Sequence, residues 1–168
     1  GACGGCWCMY WLLAHKAYQQ GMGEPNRCAL HGLVDSDPAL GLLAFTKDEP
    51  VGWCAFGPRE RYPRLERSRV LARVDEQPVW SVVCFFVART WRRKGITVRL
   101  LDAACSYAAA RGARIIEGYP VEQAAGKRQA DALVYTGLAS AFIKAGFHEA
   151  ARRSPTRPIM RFIVPNKQ

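Results

Sequence analysis

Apolar positions change their period along the chain, and each change predicts an element. Val79-Trp80-Ser81-Val82-Val83-Cys84-Phe85-Phe86-Val87 is a nearly unbroken run of β-branched, aromatic and small apolar residues, as in a buried strand. Beyond it, Leu101, Ala104, Cys105 and Ala108 recur at i, i+3, i+4 and i+7, the spacing of a helix buried on one face. Gly112 suits the left-handed position that ends such a helix. Two short apolar strands, Gly41 to Phe45 and Val51 to Phe56, flank the polar Lys47-Asp48-Glu49-Pro50 and read as a hairpin. Ala113 to Val121 reads as another strand, and Pro155 and Pro158 break the chain before a last one, Ile159 to Val164. Pro25 fits the first turn of a helix running through Leu30 to Val34. Cys6 to Trp11 alternates as a core strand would, Pro58 to Arg69 reads as a short polar helix, and Gln123 to Asp131 as a flexible loop. Strands alternating with helices, with one hairpin among them, predict an α/β fold with a mixed central β-sheet flanked by helices. At 168 residues the chain is expected to form a single domain with a sizeable core.

Between the long strand and its helix lies Ala88-Arg89-Thr90-Trp91-Arg92-Arg93-Lys94-Gly95-Ile96-Thr97. A strand, a basic glycine-containing turn and a helix in succession aim free amides and the positive end of the helix dipole at whatever sits over the turn. Gly95 allows close approach of backbone to a ligand, and Arg92, Arg93 and Lys94 add charge, so an anion such as a pyrophosphate is expected there. The dinucleotide pattern G-x-G-x-x-G is missing from this turn, and G-x-x-x-x-G-K-[ST] occurs nowhere in the chain.

Arg92-Arg93-Lys94-Gly95-Ile96-Thr97 resembles the R-x-x-G-x-[GA] acyl-CoA pyrophosphate loop of the GNAT acyltransferase superfamily. It departs at Thr97, where glycine or alanine is usual; threonine is able to cap the helix instead. Ser140-Ala141-Phe142-Ile143-Lys144-Ala145-Gly146-Phe147-His148-Glu149 is similar to the family's helix that ends in Gly-Phe and turns into a strand. The strand Ala113 to Val121 separates the two motifs, as the family order requires. The resemblance covers roughly residues 42–164 and implies a single GNAT-like domain over 1–168, with 1–40 unanchored.

It also implies an activity. Acetyl-CoA would lie with its pyrophosphate on Arg92, Arg93, Lys94, Gly95, Ile96 and Thr97, and its pantetheine arm along the amides of Phe85, Phe86 and Val87. An amine then attacks the thioester directly, a tetrahedral oxyanion forms, and thiolate leaves, so the protein must juxtapose reactants, accept a proton and stabilise charge. The acid is commonly a tyrosine five residues before the phenylalanine of Gly-Phe; here that residue is Phe142, and Tyr135 is the substitute. Glu117, beside the expected splay of strands, is the first choice of base, with a salt-bridged Glu117 and a water chain as alternatives. Tyr119 and Cys84 are weaker candidates. Arg59, Arg61 and Tyr62 are expected in solvent or facing an acidic substrate. A small-molecule or peptide amine is the expected partner, a homodimer being left open.

Charge and cysteines change this picture little. A net charge of +10 suits a phosphate-rich cosubstrate as well as nucleic acid, and no nucleic-acid motif accompanies it, so nucleic acid is not the expected partner. No apolar run has transmembrane length. The opening Gly1-Ala2-Cys3-Gly4-Gly5 lacks the features of a secretory signal and has no initiator Met, which reads as processing or trimming of a cytoplasmic protein. Seven scattered cysteines read as reduced thiols. Cys3-x-x-Cys6 and Cys28-x-x-His31 have the paired spacing of a zinc site, but the apolar surroundings favour core thiols and no metal. The competing reading is a non-catalytic CoA- or nucleic-acid-binding module on the same fold, with a zinc site at its N-terminus.

Overall fold

A computed structural model describes residues 4–36, 40–123, 130 and 133–165. Its frame is one six-stranded mixed sheet, ordered β1-β2-β3-β4-β6-β5. The hairpin of β1 (Gly41–Thr46) and β2 (Glu49–Pro58) turns at Lys47, whose φ is 53°. β3 (Trp80–Val87) runs antiparallel to β2 and parallel to β4 (Ile115–Gly118). β6 (Pro158–Ile163) is antiparallel to both β4 and β5 (His148–Arg152). The helices are α1 (His15–Gln20), α2 (Glu24–Ser36), α3 (Pro63–Glu66), α4 (Ile96–Ala110) and α5 (Ala139–Lys144).

The sheet separates two cores. Helix α4 lays Leu100, Leu101, Ala104, Cys105 and Ala108 against Val51, Phe56, Val82 and Ile116, and α5 adds Phe142. On the opposite face Trp11, Tyr62, Leu65 and Leu71 cover Val83, Cys84, Tyr119 and Ile159. Gly112 ends the turn after α4 with φ 83°, and Gly146 ends α5 with φ 82°, the left-handed conformation expected of both.

Strand β3 opens the sheet at its C-terminal end. Ala55 pairs with Cys84 but Phe56 pairs with Val82, so Val83 is an extra residue, a β-bulge. Alternation therefore slips, and Val83 and Cys84 both face the second core while Val82 and Phe85 face the first. The bulge also bends the strand. Pairing of β3 with β4 stops at Val82 and Gly118, and the two strands diverge beyond it.

Three expectations need correcting. Cys6 to Trp11 is a series of turns, with Trp7 at φ 46° and Cys8 at φ 58°, positive values that a strand does not tolerate. The strand expected over Ala113 to Val121 is only Ile115–Gly118, because its neighbour has already turned away; Val121 forms an isolated parallel bridge with Leu138. Arg59 and Tyr62, expected in solvent or against substrate, are each 1% exposed. Most of the loop expected at Gln123 to Asp131 lies outside the described residues.

Candidate active site

The basic turn leaves β3 through Ala88, whose N–H donates to the Val51 carbonyl at 2.9 Å. A short 3-10 turn, Arg89–Trp91, comes next; Arg93 then takes φ 62° and Gly95 φ 79°, and α4 begins. A Cβ on Gly95 would meet no heavy atom within 4 Å, so glycine is needed for its backbone angle, and the space before it is open. The first bond within α4 runs from the Arg99 N–H to the Gly95 carbonyl, at 3.1 Å. The amides of Ile96, Thr97 and Val98 therefore point out of the helix end. Thr97 lies inside the first turn, and no side chain caps the helix, so the capping role open to it is not taken up.

The cations around this cradle differ. Arg92 Nε donates to the Val87 carbonyl at 3.0 Å and fastens the turn to the end of β3. Lys94 Nζ stands 4.6 Å above the centroid of the Trp91 ring. Arg93 is exposed.

Where β3 leaves β4, the Phe85 N–H donates to the Tyr135 carbonyl at 2.6 Å. Antiparallel pairing alternates, so with Ala88 bonded to β2 the Val87 amide faces the same opening as that of Phe85. Phe142 floors the opening. A Cβ on Gly118 would fall 2.0 Å from Phe142 Cε1, and one on Gly137 would fall 2.9 Å from Cε2. The Phe142 ring also meets Phe85 edge-on, with centroids 6.1 Å apart. It is a packing wedge.

On the far face of the sheet the opening meets a cavity of about 650 Å³. Trp7, Tyr10, Trp11, Trp53, Phe86 and Tyr135 form much of its wall. Tyr135 packs at 6.1 Å from Tyr10 and 6.5 Å from Trp11, centroid to centroid. Cys8 Sγ and Cys84 Sγ, 3.4 Å apart, join the N-terminal turns to β3 in this wall. The hydrogen bond with Cys8, together with burial, pushes the Cys84 thiol well above the usual range, which removes it as a base.

Glu117 sits elsewhere. It faces the second core but does not line the cavity. Arg161, directly opposite on β6, donates from Nε to Glu117 Oε2 at 2.8 Å. Arg59 donates from Nη1 to Oε1 at 3.1 Å, and the Tyr119 hydroxyl to the same oxygen at 2.8 Å. Arg59 also donates to the carbonyls of Leu65 and Leu71 and to Glu66, and Arg161 makes a two-armed pair with Asp75. Both carboxylate oxygens of Glu117 are therefore held by donors of the scaffold, and the side chain is 1% exposed, away from the cavity wall. Burial, followed by the Glu117 charge, drives the Tyr119 hydroxyl well above its usual range, so it too is a fixed strut.

Sequence reading misses the aromatic cavity. Its one signal is the density of aromatic residues between Trp7 and Tyr18, masked by an alternation that reads as a strand. Among the described residues no group of three or more His, Cys, Asp or Glu converges as a metal site. His31 pairs instead with Asp35 at 3.0 Å, Cys28 is exposed, and Cys3 lies outside the described residues.

Known proteins bear on this arrangement. The chain is similar in fold to the PaiA N-acetyltransferase of Thermoplasma acidophilum, solved with coenzyme A, at 15% identity and a TM-score of 0.53, covering 94% of this chain and 84% of that one. It is similar to the ribosomal-protein-alanine N-acetyltransferase of Brucella melitensis, at 17% identity and a TM-score of 0.54, covering 86% and 82%. An N-acetyltransferase of Staphylococcus aureus Mu50 matches at 15% identity and a TM-score of 0.53, over 82% and 75%. No curated protein matches the sequence. The family model for the GNAT acetyltransferases matches residues 6–126, well over half the chain, and takes in the bulged strand, the basic turn and α4. The chain therefore belongs to the GNAT acetyltransferase family, whose co-substrate is acetyl-CoA.

Proposed function

We propose that this protein is an N-acetyltransferase that moves the acetyl group of acetyl-CoA directly to an amine. One observation carries the reading. The opening between β3 and β4 has the amides and cations of the α4 turn at one end and the aromatic cavity at the other. A thioester arm along β3 and an amine in the cavity would meet at the same stretch of main chain.

Acetyl-CoA supplies an activated acyl thioester. The open space before Gly95 and the outward amides of Ile96 and Thr97 suit its pyrophosphate, with Arg93 and Lys94 adding charge. Arg92 serves by fastening the turn. On β3 the Val87 amide is the main-chain donor for the arm, the Phe85 N–H being engaged by Tyr135, and Phe86 borders the acceptor. Tyr135 is the proton donor to the departing sulfur, since its ring lines the cavity and its carbonyl holds β3 at the opening. Glu117 belongs to the scaffold, and the amine proton goes to water.

The test has two parts. CoA at about a hundred times its Kd should raise the melting temperature by roughly 5–10 °C. Acetyl-CoA with a panel of amines should release CoA thiol. Absence of a thermal shift at millimolar CoA would overturn the cosubstrate site, and absence of thiol release with every amine would overturn the activity.

A further inference from the structure

We infer that the aromatic cavity selects a small primary amine carried on an uncharged aromatic body; this rests on the acetyltransferase reading above. At about 650 Å³ the cavity is of the size that encloses a small organic molecule. Among the described residues, every side chain in its wall is aromatic, Cys, Leu or Val. A second charge on the acceptor would be desolvated there without a partner, a cost that rules against polyamines and polyhydroxylated amines.

A cage of rings is also able to hold a cation by its π-faces. At two of the rings that place is taken: the Arg64 guanidinium stands 4.1 Å from the Tyr10 centroid and 5.3 Å from that of Tyr18, so a second cation there is repelled. Trp7, Trp11 and Trp53 supply broad surfaces for ring-on-ring packing. The wall is not wholly apolar. The indole N–H groups of Trp11 and Trp53, both in it, have no acceptor among the described residues. A phenol, ether or carbonyl oxygen on the acceptor's ring would satisfy one of them.

The same wall bears on proton transfer. An ammonium entering a cavity whose described residues include no carboxylate is destabilised relative to the free amine, so this wall favours the nucleophilic form. In the transfer the nitrogen–carbon bond forms, the carbon–sulfur bond breaks, its electron pair leaves with sulfur, and the nitrogen proton passes to water. The rate with such an amine should rise with pH until the bound amine is neutral.

Tryptophan fluorescence of the CoA-loaded protein tests the ligand class without requiring turnover. The probes are 2-phenylethylamine, butylamine, spermidine and the tripeptide Phe-Gly-Gly. Saturable quenching by 2-phenylethylamine should be at least about tenfold tighter than by butylamine, which keeps the amine and loses the ring. Spermidine should not bind at the same concentrations. Trp7→Ala, at the rim where the residue is 38% exposed, should weaken 2-phenylethylamine several-fold and leave the CoA melting shift unchanged. Butylamine or spermidine binding as tightly as 2-phenylethylamine overturns the proposal, and tighter binding of Phe-Gly-Gly replaces the small molecule by a peptide. Thiol release with the same amines separates the two readings. Ring-dependent quenching without turnover of any amine leaves the ligand class standing and sinks the acetyltransferase; turnover indifferent to the ring does the reverse.

Discussion

The turn that opens α4 and the cavity across the sheet from it are made of different material. The turn is contiguous, Val87 to Thr97, and offers chiefly main chain: helix amides, a left-handed Gly95 and a strand end held by Arg92. The cavity is assembled from the N-terminal turns, α1, α2, β1, β2, β3 and Tyr135, and its described wall is built of aromatic and aliphatic residues and cysteines. A phosphate chemistry shared by every user of one cosubstrate is well served by backbone geometry, which most substitutions leave intact. An acceptor is distinguished by its shape, and shape is set by side chains brought from many places. The buried Glu117 cluster is no part of the cavity wall.

That separation is open to attack, the hardest blow falling on the cluster. Glu117→Ala leaves the guanidinium groups of Arg59 and Arg161 buried without their shared partner, and should cost about 3–5 kcal/mol of stability. Thermal unfolding should then begin roughly 10 °C lower. Glu117→Gln, assayed at a temperature where it stays folded, should keep a kcat close to that of the parent. A fall of about a hundredfold in kcat/KM with unchanged CoA affinity would instead return Glu117 to the chemistry as a base.

Next in size is the pair Arg93→Ala with Lys94→Ala. Loss of two cations from the proposed phosphate turn should weaken CoA roughly tenfold or more and flatten the salt dependence of binding, without altering the Kd of the acceptor. A matched loss of acceptor binding would mean that the turn and the cavity are one site, not two. Tyr135→Phe should cost less than about tenfold in kcat, because a thiol that ionises near pH 8.5 leaves without much help. A larger loss with an unchanged KM would make Tyr135 the principal acid.

The smallest effect is in the response to acid. The Arg161 guanidinium holds the Asp75 carboxyl below the ordinary carboxylate range, and Arg152 does the same for Glu149. Both pKa values are depressed on folding, so the stability they contribute is present above about pH 4.5 and is lost as the pH falls through their folded values. Melting temperature should hold steady from neutral pH down to that point and decline below it, and Asp75→Asn should shallow the decline.

The two regions differ in how far their sequence can be read. The order of strands and helices, the hairpin, and the glycines ending α4 and α5 are all legible, because each depends on local periodicity or a local backbone angle. The basic turn is legible for the same reason. Glu117 misleads because alternation places it correctly on a strand but says nothing of Arg161, 44 positions later in the chain and directly opposite. Arg59 misleads likewise, as a cation in a polar stretch reads as solvated until its carboxylate is known. Phe142 plainly lacks a hydroxyl, yet its wedge over Gly118 needs α5 folded onto β4.

The sequence by itself determined the strand, the basic turn and the helix that opens with outward amides, since a contiguous motif carries its geometry with it. Tertiary structure alone decided the rest. The bulge at Val83 arises from register between β2 and β3, a relation between chains of hydrogen bonds that no single segment contains. From it come the parting of β3 from β4, the exposure of Cys84 and Phe86 to one cavity, and the space in which aromatic residues from Trp7 to Tyr135 converge. Which side chains share a cavity depends on contacts distant in sequence, and no single segment carries them.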